Sequence, residues 1–363
     1  MQWNDLHVGA TVLAAGAMLA GSASRTIAAD KPAGAPAKSG TTVSSAAPAA
    51  VESPKPDYPR INMTPGYEVD PTWPQRPLEY TWGSMTGIAV DLQDRIWTFN
   101  RGDMPVQVYT ADGKFARAWG QGLVAGAHHI RVDPQGNIWI ADVGLHVVRK
   151  FTPGGELLLT LGTSGEYGED DKHLNKPTDM AITQNGEIFV TDGYGNNRIV
   201  RFAPNGDYLA SWGRLGTARG EFSQPHAIAI DSEGLLYVVD RNNVRIQVFD
   251  QSGKCLDEWR NVITPWGIWI TPKDEILVCG SSPMRWGERP DLASPPKDQL
   301  VVRFDRSGKV QELWTFPLGK QGESQPGELW WVHALAVDSQ GNLYTGDIHG
   351  RGAQKFRRLN AAR

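Results

Sequence analysis

From about residue 78 to residue 357, apolar and polar positions alternate in short runs, each bounded by Gly, Asp, Asn or Pro. Alternation with period two predicts half-buried β-strands, and the turn residues between the runs predict hairpins rather than helices. One unit recurs six times. Its first strand reads GIAVD, HIRVD, DMAIT, AIAID, GIWIT and ALAVD, ending at Asp91, Asp133, Thr183, Asp231, Thr271 and Asp338. After a short turn the second strand follows as RIWTFN, NIWIAD, EIFVTD, LLYVVD, EILVCG and NLYTGD. Third strands such as VQVYT and RIQVF then lead through turns such as ADGK and QSGK into fourth strands such as FARAWG and CLDEWR.

Unit six lacks a fourth strand, and LEYTWG (Leu78 to Gly83), ahead of the first unit, carries that pattern. An all-β, six-bladed β-propeller is therefore expected, its last blade completed by this N-terminal strand, since ring closure protects the sheet edges. An open solenoid would need no displaced strand. The longest interval between units holds a polar, Pro-rich insertion from Ser281 to Gln299.

Composition narrows the partners. The 36 basic and 40 acidic side chains leave a formal charge of −4, which offers no field to hold nucleic acid or an anionic membrane. Two cysteines, Cys255 and Cys279, exclude a disulfide framework and a CxxC zinc site, and free buried thiols are expected. Val8 to Gly21 is a small-residue apolar stretch followed by Ala/Ser-rich sequence, although no Lys or Arg precedes it. The expected organisation is a signal peptide over 1–29, an Ala/Pro/Ser-rich linker over 30–60 and the propeller over 61–363, in an exported monomer without a transmembrane span in its mature chain.

Aligning the units exposes the candidate chemistry. Five residues before the end of each first strand stand Thr86, His128, Thr178, His226, Trp266 and His333. Histidine falls in blades two, four and six, a third of a turn apart, and first strands line the central channel. One such histidine is commonly just a polar channel residue. Three at one offset in symmetric blades form a metal-ligand pattern, and three neutral imidazoles with an open fourth position suit a catalytic zinc. By period two, His129 is expected to point to the other side of its strand, and His7 and His173 lie outside the pattern.

The loops from second to third strands belong to the same face of the ring. They carry Arg101 and Arg241 at equivalent positions and Tyr194 in the loop DGYGNNR. Polar loops are usually only solvated. Over a three-histidine metal, however, an arginine can hold a carboxylate bidentately, and a phenol whose pKa is lowered by cations can act as a base.

The repeat, with its apolar strand, (W/F/Y)xxD and RIxxF, resembles the NHL repeat over roughly residues 78 to 357. More narrowly, TDGYGNNRIVRFAPNGDYLASWG, FSQPHAIAID, VDRNNVRIQVF, HHIRVDPQGNIWIADVGLHVV and VHALAVDSQGNLYTGDIH are similar to the lyase domain of peptide α-amidating enzymes, peptidyl-α-hydroxyglycine α-amidating lyase. The resemblance implies zinc ligands at His128, His226 and His333, a catalytic Tyr194, and active-site arginines at Arg101 and Arg241. It implies cleavage of the N–Cα bond of a C-terminal α-hydroxyglycine to a peptide amide and glyoxylate, with a small-molecule or peptide substrate bearing a C-terminal carboxylate. Two positions depart from the family. Gly195 stands where a disulfide cysteine follows the tyrosine, and Ala334 where an acidic residue helps bind a structural calcium in the channel, which argues against calcium here. No monooxygenase domain precedes the propeller in this sequence, so the hydroxyglycine, or a related carbinolamide, is expected from elsewhere. Two alternatives stand beside the lyase: a non-catalytic NHL propeller that binds a ligand or protein, and a propeller hydrolase that uses a hard cation on carboxylate oxygens.

Overall fold

The structure is a computed structural model and describes residues 66–283 and 298–359. The proposed signal peptide and linker, and the insertion over 284–297, lie outside the described residues. Among the described residues every regular element is a strand, and no helix is long and apolar enough to cross a membrane.

The strands form six four-stranded antiparallel sheets, five of them in simple sequence order. Each first strand, from Met85–Val90 in blade one to Val332–Val337 in blade six, is the innermost, and the fourth is the outermost. The turn after each first strand is held by its terminal acid or threonine. Asp91 accepts from the Gln93 and Arg95 amides at 2.9 and 3.0 Å and from Trp97 Nε1 at 2.8 Å. Asp133 with Trp139, Asp231 with Tyr237 and Asp338 with Tyr344 repeat this clasp at 2.9 to 3.0 Å. Trp or Tyr two residues into the second strand thus buries an aromatic body while its polar tip meets a buried carboxylate.

Between neighbouring blades the sheets pack face to face. Trp97, Phe99, Val106 and Val108 of blade one lie against Ile130, Ile138, Ile140 and Phe151 of blade two, all of them buried. Burying each large side chain contributes about 1.5–3 kcal/mol, so the ring is held by its inter-blade layers.

The sixth blade is completed by Tyr67–Val69, which pairs antiparallel with Ala353–Arg358 through Tyr67 opposite Arg358 and Val69 opposite Phe356. The expectation for Leu78 to Gly83 needs correcting, because that segment forms no strand and Leu78 is 94% exposed. It belongs to the connection from blade six to blade one, where Trp73 packs between Tyr109 and Tyr344 and Trp82 Nε1 donates to Gln107 Oε1 at 2.9 Å. Cys255 and Cys279 are both free thiols, Cys279 buried and Cys255 half-buried.

Candidate metal centre

The six equivalent positions owe their orientation to a backbone irregularity. In five of the six blades the register of first and second strands shifts around that residue, at Met85/Gly87, Ala127/His129, Pro225/Ala227, Pro265/Gly267 and Val332/Ala334. A β-bulge adds one residue to a strand and re-aims its side chain. Here it aims His128, His226 and His333 into the channel, where all three are buried. Their ring centroids lie 4.7 to 4.8 Å apart, and one nitrogen from each comes within 4.8 Å of the other two.

Each Nδ1 is already engaged. His128 Nδ1 donates to the carbonyl of Thr178, His226 Nδ1 to that of Trp266 and His333 Nδ1 to that of Thr86, each at 2.6 Å. Every donor on an even blade therefore bonds the equivalent residue on the next blade. This fixes the neutral tautomer and leaves Nε2 as the free lone pair, the usual support of a metal-ligating imidazole. Burial holds all three rings well below the ordinary histidine range, aided by the other imidazoles for His128 and His226; His333 is lowered to about 3.

Tyr194 closes the other side of this cluster. Its hydroxyl lies 3.0 Å from both His128 Nε2 and His226 Nε2, and Arg241 Nη1 reaches it at 3.5 Å. Burial pushes the phenol above its usual value, while Arg241 and then Arg101 pull it down. The expectation of a lowered phenol pKa is thus not met by the arginines alone, because desolvation of the phenolate outweighs them. The tyrosine loop is held by hydrogen bonds: buried Asp192 accepts from the Asn175 amide, Asn196 Nδ2 and Arg198 Nε at 2.7, 2.7 and 3.0 Å. A Cβ at Gly195 would meet the Asn175 side chain at 2.0 Å, so the loop in this form excludes a larger residue there. A Cβ at Gly193 would be tighter still, 1.9 Å from the carbonyl oxygen of Pro225, the residue before His226.

The two arginines differ. Arg241 is buried, whereas Arg101 is exposed at the rim and donates from Nε to the Ala127 carbonyl at 3.2 Å, one residue before His128. A cavity of about 240 Å³ opens beside Arg101, lined also by Asn100, Asp103, Gln121 and Ala127.

His129 departs from expectation. The bulge at Ala127/His129 cancels the period-two alternation, so His129 also enters the channel, with its ring 5.1 Å from that of His333 and its Nδ1 3.0 Å from His128 Nδ1. Its Nε2 is buried and finds no hydrogen-bond partner among the described residues. His173 is half-buried and pairs with Asp170, while His7 lies outside the described residues.

Comparison with known proteins agrees with this architecture. The NHL repeat matches residues 174–202 and 222–249. Human NHL repeat-containing protein 3 is 32% identical, over 81% of this chain and 85% of that protein. The probable peptidyl-α-hydroxyglycine α-amidating lyase pgal-1 of Caenorhabditis elegans is 31% identical, over 73% and 80%. The chain belongs to the NHL-repeat propeller family that includes the peptidyl-α-hydroxyglycine α-amidating lyases. Peptidyl-glycine α-amidating monooxygenase B of Xenopus laevis is 29% identical over 82% of this NHL propeller, which spans only 36% of that longer protein. Among solved structures, a streptogramin B lyase covers 81% of the chain at 14% identity with a TM-score of 0.54, a likeness of fold.

Proposed function

We propose that this propeller is a zinc-dependent lyase that splits the N–Cα bond of a C-terminal α-hydroxyglycine, or a related carbinolamide, into an amide and glyoxylate. The observation that carries the reading is the Tyr194 hydroxyl 3.0 Å from the free nitrogens of two of three converging neutral histidines. The donor set fits zinc: three buried imidazoles, each with its second nitrogen bonded to a carbonyl, leave a fourth position for substrate. Bound there, a zinc ion supplies the positive charge that lowers the pKa of the substrate hydroxyl and of the adjacent phenol.

The protein side chains then have distinct tasks. Arg241, with Arg101 at the rim, holds the substrate carboxylate and favours the phenolate of Tyr194. Tyr194 removes the proton from the α-hydroxyl. As the C–O bond becomes the aldehyde C=O of glyoxylate, the N–Cα bond breaks and its electron pair goes to nitrogen. The phenol returns its proton to that nitrogen, giving the amide, so the base is regenerated without a net change in protons. The cavity beside Arg101 offers space for the acyl part of the substrate.

Incubation of the zinc-loaded protein with an N-acyl-α-hydroxyglycine tests the reading, with glyoxylate measured against time. Release above the uncatalysed rate supports it. No release, with metal bound, leaves the ligand-binding propeller as the function. Export belongs to the same proposal and is checked by fractionating cells that express the full chain.

A further inference from the structure

The inner strand of every blade is an edge strand, paired only with its second strand, so six rows of backbone groups face the channel with no neighbouring strand to satisfy them. On the side of His129 away from the bulge, the Arg131 side chain crosses the channel. Arg131 reaches from the first strand of blade two across to three other blades. Its Nε donates to Asp179 Oδ1 of blade three at 3.0 Å, and its Nη2 donates to Asp179 Oδ2, to the Ile228 carbonyl of blade four at 3.2 Å and to the Ile268 carbonyl of blade five at 3.1 Å. The Arg131 side chain is 11% exposed and that of Asp179 fully buried. Asp179 also accepts from the Met180 and Ile228 amides at 2.9 and 3.0 Å. One carboxylate and two backbone carbonyls from three blades, converging on a single positive group, form the oxygen environment of a hard divalent cation, with a guanidinium at its centre.

A structural calcium does not fit beside it. Ala334, where the resembling family carries an acidic residue, is buried in an apolar cluster with Met85, Ile88, Ala336 and Tyr344 and offers no oxygen. The remaining space below Arg131 is a cavity of about 150 Å³ whose wall includes Arg131 itself with Met180, Ile182, Ile230, Trp269 and Ile270, and none of its lining side chains is a carboxylate.

We propose that this channel contains a cation site that the chain fills with its own Arg131, so that the propeller neither binds nor needs a structural calcium, and that removing the guanidinium turns the site into one for a divalent cation. The proposal rests on the fold and stands independently of the lyase reading. The guanidinium links four inner strands with two charge-assisted bonds to Asp179 and two to carbonyls. An arginine does this without a soluble ion because its planar fork spreads donors over several acceptors.

Calcium analysis and thermal melts of the full-length protein decide the matter. The wild type is expected to hold no stoichiometric calcium, and its Tm is expected not to respond to millimolar calcium chloride. Arg131→Ala leaves Asp179 buried without its partner, lowering the Tm by roughly 5–10 °C. Millimolar calcium recovers part of that loss in Arg131→Ala and none of it in Arg131→Ala/Asp179→Asn. One calcium per wild-type chain overturns the proposal, as does an Arg131→Ala protein that melts with the wild type or ignores calcium. Should Arg131→Ala not fold, Arg131→Lys keeps the charge without the fork and is expected to lose roughly 2–5 °C; an unchanged Tm for it counts against the proposal, and the wild-type calcium content still decides.

Discussion

His333 Nδ1 lies 2.6 Å from the carbonyl oxygen of Thr86, a residue 247 positions earlier in the chain. This bond joins the last blade to the first at the level of the three-histidine cluster, so closing the ring and setting the tautomer of His333 are the same event. The matching bonds of His128 and His226 make each ligand depend on the blade after its own. Histidines held this way bind metal with little reorganisation, whereas loss of one ring leaves two donors and an open channel.

His226→Ala is therefore expected to weaken zinc binding by roughly 100-fold or more, and glyoxylate release should fall with it. Competition with a chromophoric chelator measures the first and the lyase assay the second. Zinc bound as tightly as in the wild type would remove His226 from the ligand set.

Tyr194→Phe separates chemistry from metal binding. The ring stays and only the hydroxyl goes, so zinc content should be unchanged while kcat drops roughly 100- to 10,000-fold. Full turnover in this variant would assign the proton transfer to another group.

The arginines should part company kinetically. Arg241 is buried against the Tyr194 hydroxyl, so Arg241→Ala is expected to lower kcat/KM roughly 100-fold or more with a large share in kcat. Arg101 stands exposed at the rim, and Arg101→Ala is expected to act mostly on KM, roughly 10-fold. Steady-state kinetics of the two variants side by side check the contrast.

The convergence of His128, His226 and His333 was legible in the sequence because the bulged residue keeps a constant offset from the strand-ending Asp or Thr, whatever the turn lengths elsewhere. His129 was not legible, because the same bulge cancels the alternation used to orient it. A signal was nevertheless present in the column that follows the histidine position. It reads Gly87, His129, Asp179, Ala227, Gly267 and Ala334, small in four units where the channel is tight; a Cβ at Gly267 would meet the His333 carbonyl oxygen at 2.7 Å. The two large exceptions, His129 and Asp179, meet the channel side chains: His129 lies against His333, and Asp179 accepts from Arg131. The closing strand misled for another reason. Tyr67–Val69 is too short to show alternation, while Leu78 to Gly83 has the pattern yet meets no free sheet edge.

Asp347 shows how the loops of this face are anchored. It is 1% exposed and accepts from the amides of Trp330, Trp331, His349 and Gly350 at 2.6 to 3.1 Å, tying the entry to His333 to the loop after the second strand. Asp347→Ala leaves four donors without their acceptor and should cost about 3 kcal/mol or more, a Tm loss of roughly 6 °C. Zinc affinity should fall too, because Trp331 lies two residues before His333. A melt within 1 °C of the wild type, about the resolution of such a comparison, would show that water replaces the carboxylate.

Acid should destabilise the metal-free protein in a defined window. Burial holds His128 and His226 well below the ordinary value, and His333 at about 3. In the unfolded chain the same rings titrate near their usual pKa of about 6.5. Above that pH both states carry neutral imidazoles and the native packing is fully retained. As pH falls below it, the unfolded chain takes up protons that the folded channel refuses, so unfolding is favoured and stability is lost progressively toward the folded pKa values. The Tm of metal-free protein is therefore expected to decline on going from about pH 8 to about pH 5, and His333→Gln, which does not titrate, should flatten part of that slope. Calorimetry across the range reads both. A wild-type Tm that stays level or rises on acidification would mean that the channel admits protonated imidazole and that burial is not what keeps these nitrogens free.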